Sequence, residues 1–183
     1  MADKDTLLPQ RKDLRLNGFD YDLTGAYFVT VCVKDRKPIL SKVSENDFAS
    51  VGETIGLPSE TLVKKCFDSV SLTEYGEIVN NAIKMISQIY PSISVDCYVI
   101  MPDHVHLILR IMTDENGRPM VSPTVSRVIC QMKGYVTKQI GFSVWQKSFY
   151  DHVIRNKQDY DECSRYIHEN PMKRMYSDGS AQR

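Results

Sequence analysis

The chain has 183 residues, which is enough for one domain to bury a core without disulfide or metal cross-links. Its 42% hydrophobic and 25% charged residues exclude wholesale disorder, and its formal net charge of zero gives no overall sign of a nucleic-acid partner. No apolar run approaches the ~20 residues of a membrane span and the polar start does not resemble a signal peptide, so we expect a cytoplasmic protein without a membrane partner.

The first half of the chain contains one clear strand and one clear helix. Residues 1–22 are polar and predict an irregular N-terminal arm, and the β-branched and aromatic run at 25–33 predicts the first strand. Residues 41–70 lack a clean period and contain glycines and a proline, which favours a loop-rich insertion. Thr73 then opens a helical pattern that stops at Pro91.

The second half adds three strands and two helices. They are strands at 93–101 and 104–111, which should pair as an antiparallel hairpin, a helix at 124–140, an irregular strand at 143–155, and a helix that starts at the N-cap residue Asn156. We expect this last helix to end by Asn170, because Pro171 disfavours helical geometry in the residue before it.

The order of these elements predicts the α+β class. Strand, helix, strand, strand, helix, strand is the ferredoxin-like β-α-β-β-α-β plan, with the helices on one face of an antiparallel sheet. A further C-terminal helix follows the last strand. We therefore predict a single domain over residues 23–176, preceded by the arm and followed by a tail at 177–183.

Two histidines stand out at the start of the predicted strand at 104–111. His104 and His106 are separated by one residue, so their imidazoles should project from the same face of the strand. Such a pair can chelate one divalent cation. By itself a His-x-His pair is weak evidence, since a structural or surface role explains it about as often.

A second unusual pattern lies on the last helix. Tyr166 and Asn170 are four residues apart and should share one helix face. An amide oxygen is an adequate third ligand for a hard cation, which would leave the tyrosine beside the metal. A tyrosine hydroxyl has a pKa near ~10 and attacks a phosphodiester only when its target is activated, as a bound divalent cation can do.

Three stretches together resemble a known family. Residues 101–109 (MPDHVHLIL), 145–155 (WQKSFYDHVIR) and 166–173 (YIHENPMK) look like motifs of the HUH single-tyrosine transposases of insertion sequences, most closely their REP-associated tyrosine transposases. The resemblance covers about residues 20–176. It implies a ferredoxin-like fold, a Mg or Mn site, and a tyrosine that cleaves single-stranded DNA next to a hairpin.

Matched residue by residue, the resemblance assigns four roles. His104, His106 and Asn170 correspond to the metal ligands, and Tyr166 corresponds to the catalytic nucleophile. Tyr135 is the competing nucleophile, but we prefer a DNA contact or packing for it because no comparable ligand lies one turn away. The chain is accordingly expected to cleave and rejoin DNA through a 5′-phosphotyrosine intermediate, as a monomer or a homodimer.

Candidate DNA contacts are concentrated in the C-terminal third. Residues 41–116 carry 5 Lys and Arg against 11 Asp and Glu, whereas residues 117–183 carry 11 against 6, and local positive potential can hold phosphates. The candidates are Lys133, Tyr135, Trp145, Arg155, Lys157, Lys173 and Arg174. Trp145 could stack on bases, although a core position is the alternative, and ordinary solvated charge is the alternative for the cations.

Two other functions fit parts of the sequence. A domesticated protein could keep the fold and bind DNA hairpins without catalysis, and a generic metal-dependent phosphoesterase could hydrolyse its substrate without a protein–DNA adduct. The first gives no reason for intact ligands and a tyrosine to coincide. We therefore predict a metal-dependent DNA transesterase active in DNA transposition.

Overall fold

The computed structural model describes residues 25–43, 70–112 and 124–179. The predicted arm at 1–22 lies outside these ranges, as does most of the predicted insertion. In chain order the elements are β1 (Ala26–Cys32), β2 (Ser41–Val43), β3 (Val70–Leu72), α1 (Glu74–Ile89), β4 (Ile93–Ile100), β5 (His104–Ile111), α2 (Val125–Ile140), β6 (Tyr150–Ile154) and α3 (Lys157–Gly179), with a short 3-10 turn at Lys34–Arg36.

The four longer strands form one antiparallel sheet in the order β4-β5-β1-β6. This confirms the predicted α+β class with an antiparallel sheet. β4 and β5 form the predicted hairpin, and β1 pairs with β5 on one side and β6 on the other. In the β1–β5 register Thr30 lies opposite His106 and Cys32 lies opposite His104, so the histidines are at the centre of the sheet.

One face of this sheet carries the main core. Alternate residues of β1 and β5 are fully buried there, and the apolar faces of α1 and α2 pack against them. Each such side chain contributes roughly 1.5–3 kcal/mol through burial of apolar surface. The central members are Tyr27, Val29, Val31, Leu107, Leu109, Val79, Ile83, Val128 and Ile129.

The opposite face is covered by α3, which lies against β4 and β5. Ile167 of this helix is fully buried in a smaller cluster with Val99, Met101 and Ile108. His104 and His106 alternate with the core residues of β5 and therefore belong to this second face. The helix that carries Tyr166 thus packs on the same face of the sheet as the histidines.

Capping residues define the ends of α1 and α2, and a close backbone contact positions α1. The Thr73 hydroxyl accepts a hydrogen bond from the Gly76 backbone N–H, and Thr124 caps α2 in the same way. Gly141 ends α2 in the left-handed conformation at φ 87°. Gly76 packs so tightly that a Cβ there would overlap the backbone oxygen of Leu40.

The predicted end of the last helix is wrong. α3 continues through Pro171 to Gly179 instead of ending by Asn170. Its predicted start is correct, because Asn156 accepts a hydrogen bond from the backbone N–H of Asp159. A proline inside a helix costs about 3 kcal/mol. Ile167, Asn170 and Pro171 are all buried, and their packing against the sheet offsets that cost.

The predicted strand at 143–155 is longer than the regular pairing in the structure. Regular pairing in the predicted strand at 143–155 is confined to β6, while Trp145 makes an isolated bridge to Val33. The residues that flank the undescribed part of the predicted loop-rich insertion pair as β2 and β3. Neither short strand shows a clear alternation, which is why periodicity missed them.

The described ranges contain no disulfide and no helix that could cross a membrane. The four cysteines in the described ranges, Cys32, Cys97, Cys130 and Cys163, are free thiols. Within those same ranges no helix is both long enough and apolar enough to cross a bilayer.

Candidate active site

His104 and His106 form a close pair at the centre of the sheet. Their ring centroids are 4.5 Å apart and the ring planes meet at 74°. Both residues are buried, His106 with only 5% of its surface exposed. The strand geometry therefore brings the two imidazoles together on one face, as the spacing predicted.

Each histidine uses its Nδ1 atom for a neighbouring side chain. His106 Nδ1 lies 2.8 Å from the Thr30 hydroxyl, and His104 Nδ1 lies 2.8 Å from a carboxylate oxygen of Asp103. Both Nε2 atoms are left for another partner, and among the described residues none bonds Nε2 of His106, although it is buried. An unpaired buried polar atom costs about 1–3 kcal/mol. A divalent cation would satisfy this nitrogen, so the pair fits a metal site.

The surroundings of the pair keep both rings neutral. Burial lowers the pKa of His106 to about 3, and the proximity of His104 and of the Arg36 guanidinium adds to the decrease. Burial also lowers the pKa of His104, against the opposing effect of its hydrogen bond to Asp103. Because a metal binds the neutral imidazole, both rings are in the ligating form at neutral pH.

Tyr166 contacts the histidine pair directly. Its ring meets the ring of His106 edge-on at a centroid distance of 5.1 Å, and Phe28 contacts both rings, stacked on His106 at 5.2 Å and edge-on to Tyr166 at 5.8 Å. Tyr166 is nevertheless 42% exposed. The tyrosine is thus held beside the buried pair while remaining accessible to a substrate.

Asn170 lies on the helix face that meets the histidines. Tyr166, Asn170 and Arg174 are four residues apart in succession and share that face. Tyr166 contacts His106, and Arg174 Nη1 lies 3.6 Å from the Asp103 carboxylate that orients His104. Asn170 stands between these two contacts and is 8% exposed. This position is compatible with the predicted third ligand.

Positive side chains surround the site. Arg36 Nη1 lies 3.4 Å from the second oxygen of Asp103, and Lys173 Nζ lies 5.5 Å from the centroid of the Tyr166 ring. Asp35 and Arg36 both have positive φ, at 58° and 53°, a conformation that costs non-glycine residues free energy. Arg36 and Arg174 both pair with Asp103, and Lys173 pairs with Glu169, so the three cations exceed the two carboxylates by one charge beside the tyrosine.

Burial limits the roles of two predicted DNA contacts. Trp145 is 6% exposed within the main core, which agrees with the core alternative and leaves no exposed ring face for stacking on a base. The Lys133 ammonium donates to three backbone oxygens, of Gln146, Lys147 and Ser148, at 2.7 to 3.3 Å. Lys133 therefore holds the segment that follows Trp145.

The remaining predicted contacts are at the surface. Tyr135 is partly exposed on α2, where it lines an apolar groove between α1 and α2. Arg155 and Lys157 are exposed beside Arg110 in a groove of about 340 Å³ at the start of α3. Lys173 pairs with Glu169 at 3.0 Å. Of the predicted DNA contacts, Lys173 and Arg174 thus lie beside the histidine pair.

Sequence reasoning missed the residues that support the pair. Thr30 and Phe28 belong to a different strand, and their approach depends on the β1–β5 register, which a single sequence does not give. The sequence shows that Phe28 and Thr30 are two residues apart and so share one face of β1. It does not show which strand pairs with β1 beside them. Asp103 could have been found, because it directly precedes His104 and carboxylates commonly orient metal-binding histidines.

Relatives of the chain are found among transposases. A Haemophilus influenzae protein of uncharacterised function is 24% identical over 181 residues, 88% of each chain. Another Haemophilus influenzae protein, provisionally named as a REP-associated tyrosine transposase, is 26% identical over 129 residues, 66% of this chain and 73% of its own. The Escherichia coli REP-associated tyrosine transposase is 28% identical over 103 residues, 56% of this chain and 58% of its own. No protein-family model matches the chain.

A solved structure shares the fold. A REP-associated tyrosine transposase bound to a REP hairpin matches with a TM-score of 0.52 and 20% identity, covering 82% of this chain and 68% of that chain. The sequence similarity indicates the class of transposase-like proteins, and the fold is shared with a structure of that class. Within that class the similarity is to the REP-associated tyrosine transposases, which confirms the resemblance predicted from the motifs.

Proposed function

We propose that the protein cleaves and rejoins single-stranded DNA by metal-dependent transesterification, with Tyr166 as the nucleophile. The observation that carries the proposal is the contact between the Tyr166 and His106 rings, beside a buried His106 nitrogen that lacks a partner among the described residues. A purely structural histidine pair gives no reason for an accessible tyrosine at this point. The sheet order β4-β5-β1-β6 supports the ferredoxin-like plan that we propose for the fold.

His104, His106 and Asn170 would hold the cation, Mg²⁺ or Mn²⁺, and Thr30 and Asp103 orient the two rings. When bound, the cation supplies Lewis-acid activation of the scissile phosphate. Side-chain amide oxygens suit both of these hard ions, whereas imidazole nitrogens are ligands more typical of transition metals, the class to which Mn²⁺ belongs and Mg²⁺ does not. The donor set therefore favours Mn²⁺ at least as much as Mg²⁺.

The covalent step exchanges one ester for another. The Tyr166 oxygen attacks phosphorus, the bond from phosphorus to the 3′ oxygen breaks, and the departing oxygen takes up a proton while the phenol loses one. The products are a 5′-phosphotyrosine and a free 3′-hydroxyl. Because the number of phosphate ester bonds is conserved, the same hydroxyl, or that of another strand, can reverse the step without ATP.

We propose a DNA hairpin as the partner that presents the cleavage site. The fold similarity to a transposase bound to a REP hairpin supports this partner class. Arg155 and Lys157 are exposed at the start of α3. Lys173 and Arg174 lie further along the same helix, near the histidine pair. A strand that contacts both ends of α3 would pass Tyr166 on the way.

The test is cleavage of a labelled single-stranded hairpin DNA in Mg²⁺ or Mn²⁺, analysed on a denaturing gel. Tyr166→Phe should abolish cleavage and the covalent adduct, because phenylalanine has no attacking oxygen, while DNA binding stays within about twofold. Tyr135→Phe, the change at the competing nucleophile on α2, should retain cleavage and the covalent adduct. Full cleavage by Tyr166→Phe would overturn the assignment.

Two further outcomes identify the alternatives. Hairpin binding without cleavage by the wild-type protein, in either metal, would indicate a binding protein that has lost catalysis. Cleavage without any protein–DNA adduct would indicate a hydrolytic phosphoesterase. The buried pair and the adjacent exposed tyrosine favour neither outcome.

A further inference from the structure

A second cluster of potential metal ligands lies on the α3-covered face of the sheet. His152 of β6 has its Nε2 atom 2.8 and 3.0 Å from the two carboxylate oxygens of Asp159, in the first turn of α3. Cys163, one turn further, has its Sγ atom 3.7 Å from the nearer oxygen. One ligand atom from each residue lies within 4.8 Å of the other two.

This cluster is separate from the histidine pair. It shares no residue with His104 and His106, and it combines nitrogen, oxygen and sulfur donors where the first site has no sulfur. Phe28 lies between the two, since it is the register partner of His152 and its ring stacks on His106. The two groups of ligands are therefore neighbours on one face with different chemistry.

We propose that His152, Asp159 and Cys163 bind a zinc ion, with a water molecule as the fourth ligand. A mixed imidazole, carboxylate and thiolate set suits Zn²⁺ and does not suit Mg²⁺. Tetrahedral zinc, with bonds of about 2.0–2.3 Å, places neighbouring ligand atoms about 3.3–3.6 Å apart. The His152–Asp159 and Asp159–Cys163 separations of 2.8 and 3.7 Å bracket this range, and the His152 and Cys163 ligand atoms lie within 4.8 Å of each other, so side-chain rotations would have to bring the three atoms around one ion.

Charge and access are also compatible with zinc. Cys163 would bind the ion as a thiolate, so binding would release the thiol proton. The resulting thiolate and the carboxylate balance the two charges of the ion. The His152 side chain is 50% exposed, which leaves an open side for the ion to enter and for water to complete the shell.

A zinc ion here would link β6 to the helix that carries Tyr166. Cys163 precedes Tyr166 by three residues, and Asp159 already accepts a hydrogen bond from the Arg155 backbone N–H. Coordination bonds would replace the weaker His152–Asp159 contact and fix the first two turns of α3 on the sheet. The ion would thus have a structural role next to the proposed catalytic site.

The experiment uses Co²⁺ as a spectroscopic substitute for zinc, because cobalt bound to a thiolate has a charge-transfer absorption in the near ultraviolet. The full chain carrying His104→Ala and His106→Ala serves as the background, so that the first site cannot contribute. We expect one equivalent of Co²⁺ to produce the thiolate absorption, Zn²⁺ to displace it, and Zn²⁺ to raise the Tm.

Single substitutions in this background decide the ligands. Cys163→Ser should remove the thiolate absorption and weaken Zn²⁺ binding by more than about 100-fold, and His152→Gln, which can still donate to Asp159, should weaken binding similarly. Cys130→Ser, a change of an exposed thiol on α2, should alter neither. Circular dichroism checks that each variant is folded.

The proposal is overturned if the background protein shows no thiolate absorption with Co²⁺, or if the absorption survives Cys163→Ser. Loss of the absorption in Cys130→Ser or Cys97→Ser, with Cys163→Ser unaffected, would assign the metal to another thiol. None of these outcomes depends on DNA cleavage. The zinc site and the proposed transesterase activity can therefore fail independently.

Discussion

Thr30 and Asp103 determine which nitrogen each histidine offers to a metal. The Asp103 carboxylate only accepts hydrogen bonds, so it selects the tautomer of His104 with a proton on Nδ1. A threonine hydroxyl can accept or donate, so Thr30 adapts when His106 Nε2 binds a cation. In both rings the supporting contact is made on the side away from the proposed metal.

At this scale the clearest prediction concerns Thr30. Thr30→Val has nearly the same shape but lacks the hydroxyl, so the Nδ1 atom of His106 loses its partner and the ring loses its fixed orientation. We expect the affinity for Mn²⁺ to fall about 10–100-fold, measured by titration calorimetry. Thr30→Ser should restore most of it. Equal affinity in Thr30→Val and wild type would contradict the proposed role of His106.

Among the secondary-structure elements, α1 makes a close contact with the segment before β2. Gly76 in the first turn of α1 lies against the backbone of Leu40, and the Leu40 N–H donates to the oxygen of Pro102, in the turn before His104. The backbone cannot yield as a flexible side chain would. Close packing of α1 therefore supports the turn that precedes the histidines.

We predict that Gly76→Ala destabilises the protein by about 3 kcal/mol, because the new methyl group must displace the Leu40 backbone. Gly134→Ala is the matched control on α2, where a Cβ has nothing within 4 Å. It should stabilise the helix by roughly 0.5–1 kcal/mol. Urea unfolding of both variants checks the pair, and a neutral Gly76→Ala would show that the approach is looser than described.

The same elements show what a single sequence can and cannot reveal. Periodicity and caps located α1 and α2 to within about a residue, because Thr73, Thr124 and Gly141 are strong local signals. The end of α3 was wrong because the penalty at Pro171 is local, whereas the burial of its neighbours is a tertiary effect. Local patterns cannot report packing against a distant strand.

For the whole molecule, the uneven charge predicts how DNA binding depends on salt. Arg155 and Lys157 are exposed. They belong to residues 117–183, which carry more positive than negative charge. If each contacts one phosphate of a single strand, Arg155→Gln and Lys157→Gln should each reduce the slope of log K against log salt by about 0.7. Lys138→Gln, on α2, should leave it unchanged. Fluorescence anisotropy measures the slopes, and unchanged slopes in the first two variants would exclude these contacts.

Tyr166 and His106 of the same chain are in contact, so we predict that one chain supplies both the tyrosine and the histidines of each active site. An equimolar mixture of Tyr166→Phe protein and His104→Ala, His106→Ala protein should cleave no more DNA than the two variants do separately. The reason is that the tyrosine contacts the histidine of its own chain. Restored cleavage in the mixture would show that two chains share a site.

The sequence predicted which residues form the proposed site but not how they come together. His104, His106, Tyr166 and Asn170 were predicted from spacing and family resemblance, and the structure places the Tyr166 ring against the His106 ring. The placement required the docking of α3 by Ile167 and the pairing of β1 with β5, both contacts between residues distant in the chain. Spacing predicts which residues share an element, and only tertiary packing predicts which elements meet.

The common face of Tyr166, Asn170 and Arg174 has a consequence for how the site could be lost. Because an α-helix turns by about 100° per residue, a slip of α3 by a single position would carry all three side chains away from the sheet together. Insertion or deletion of one residue between Asn156 and Tyr166 would have the same effect. The proposed site therefore depends on the rotation of α3 about its own axis. A change in that rotation would remove Tyr166, Asn170 and Arg174 from the site at the same time.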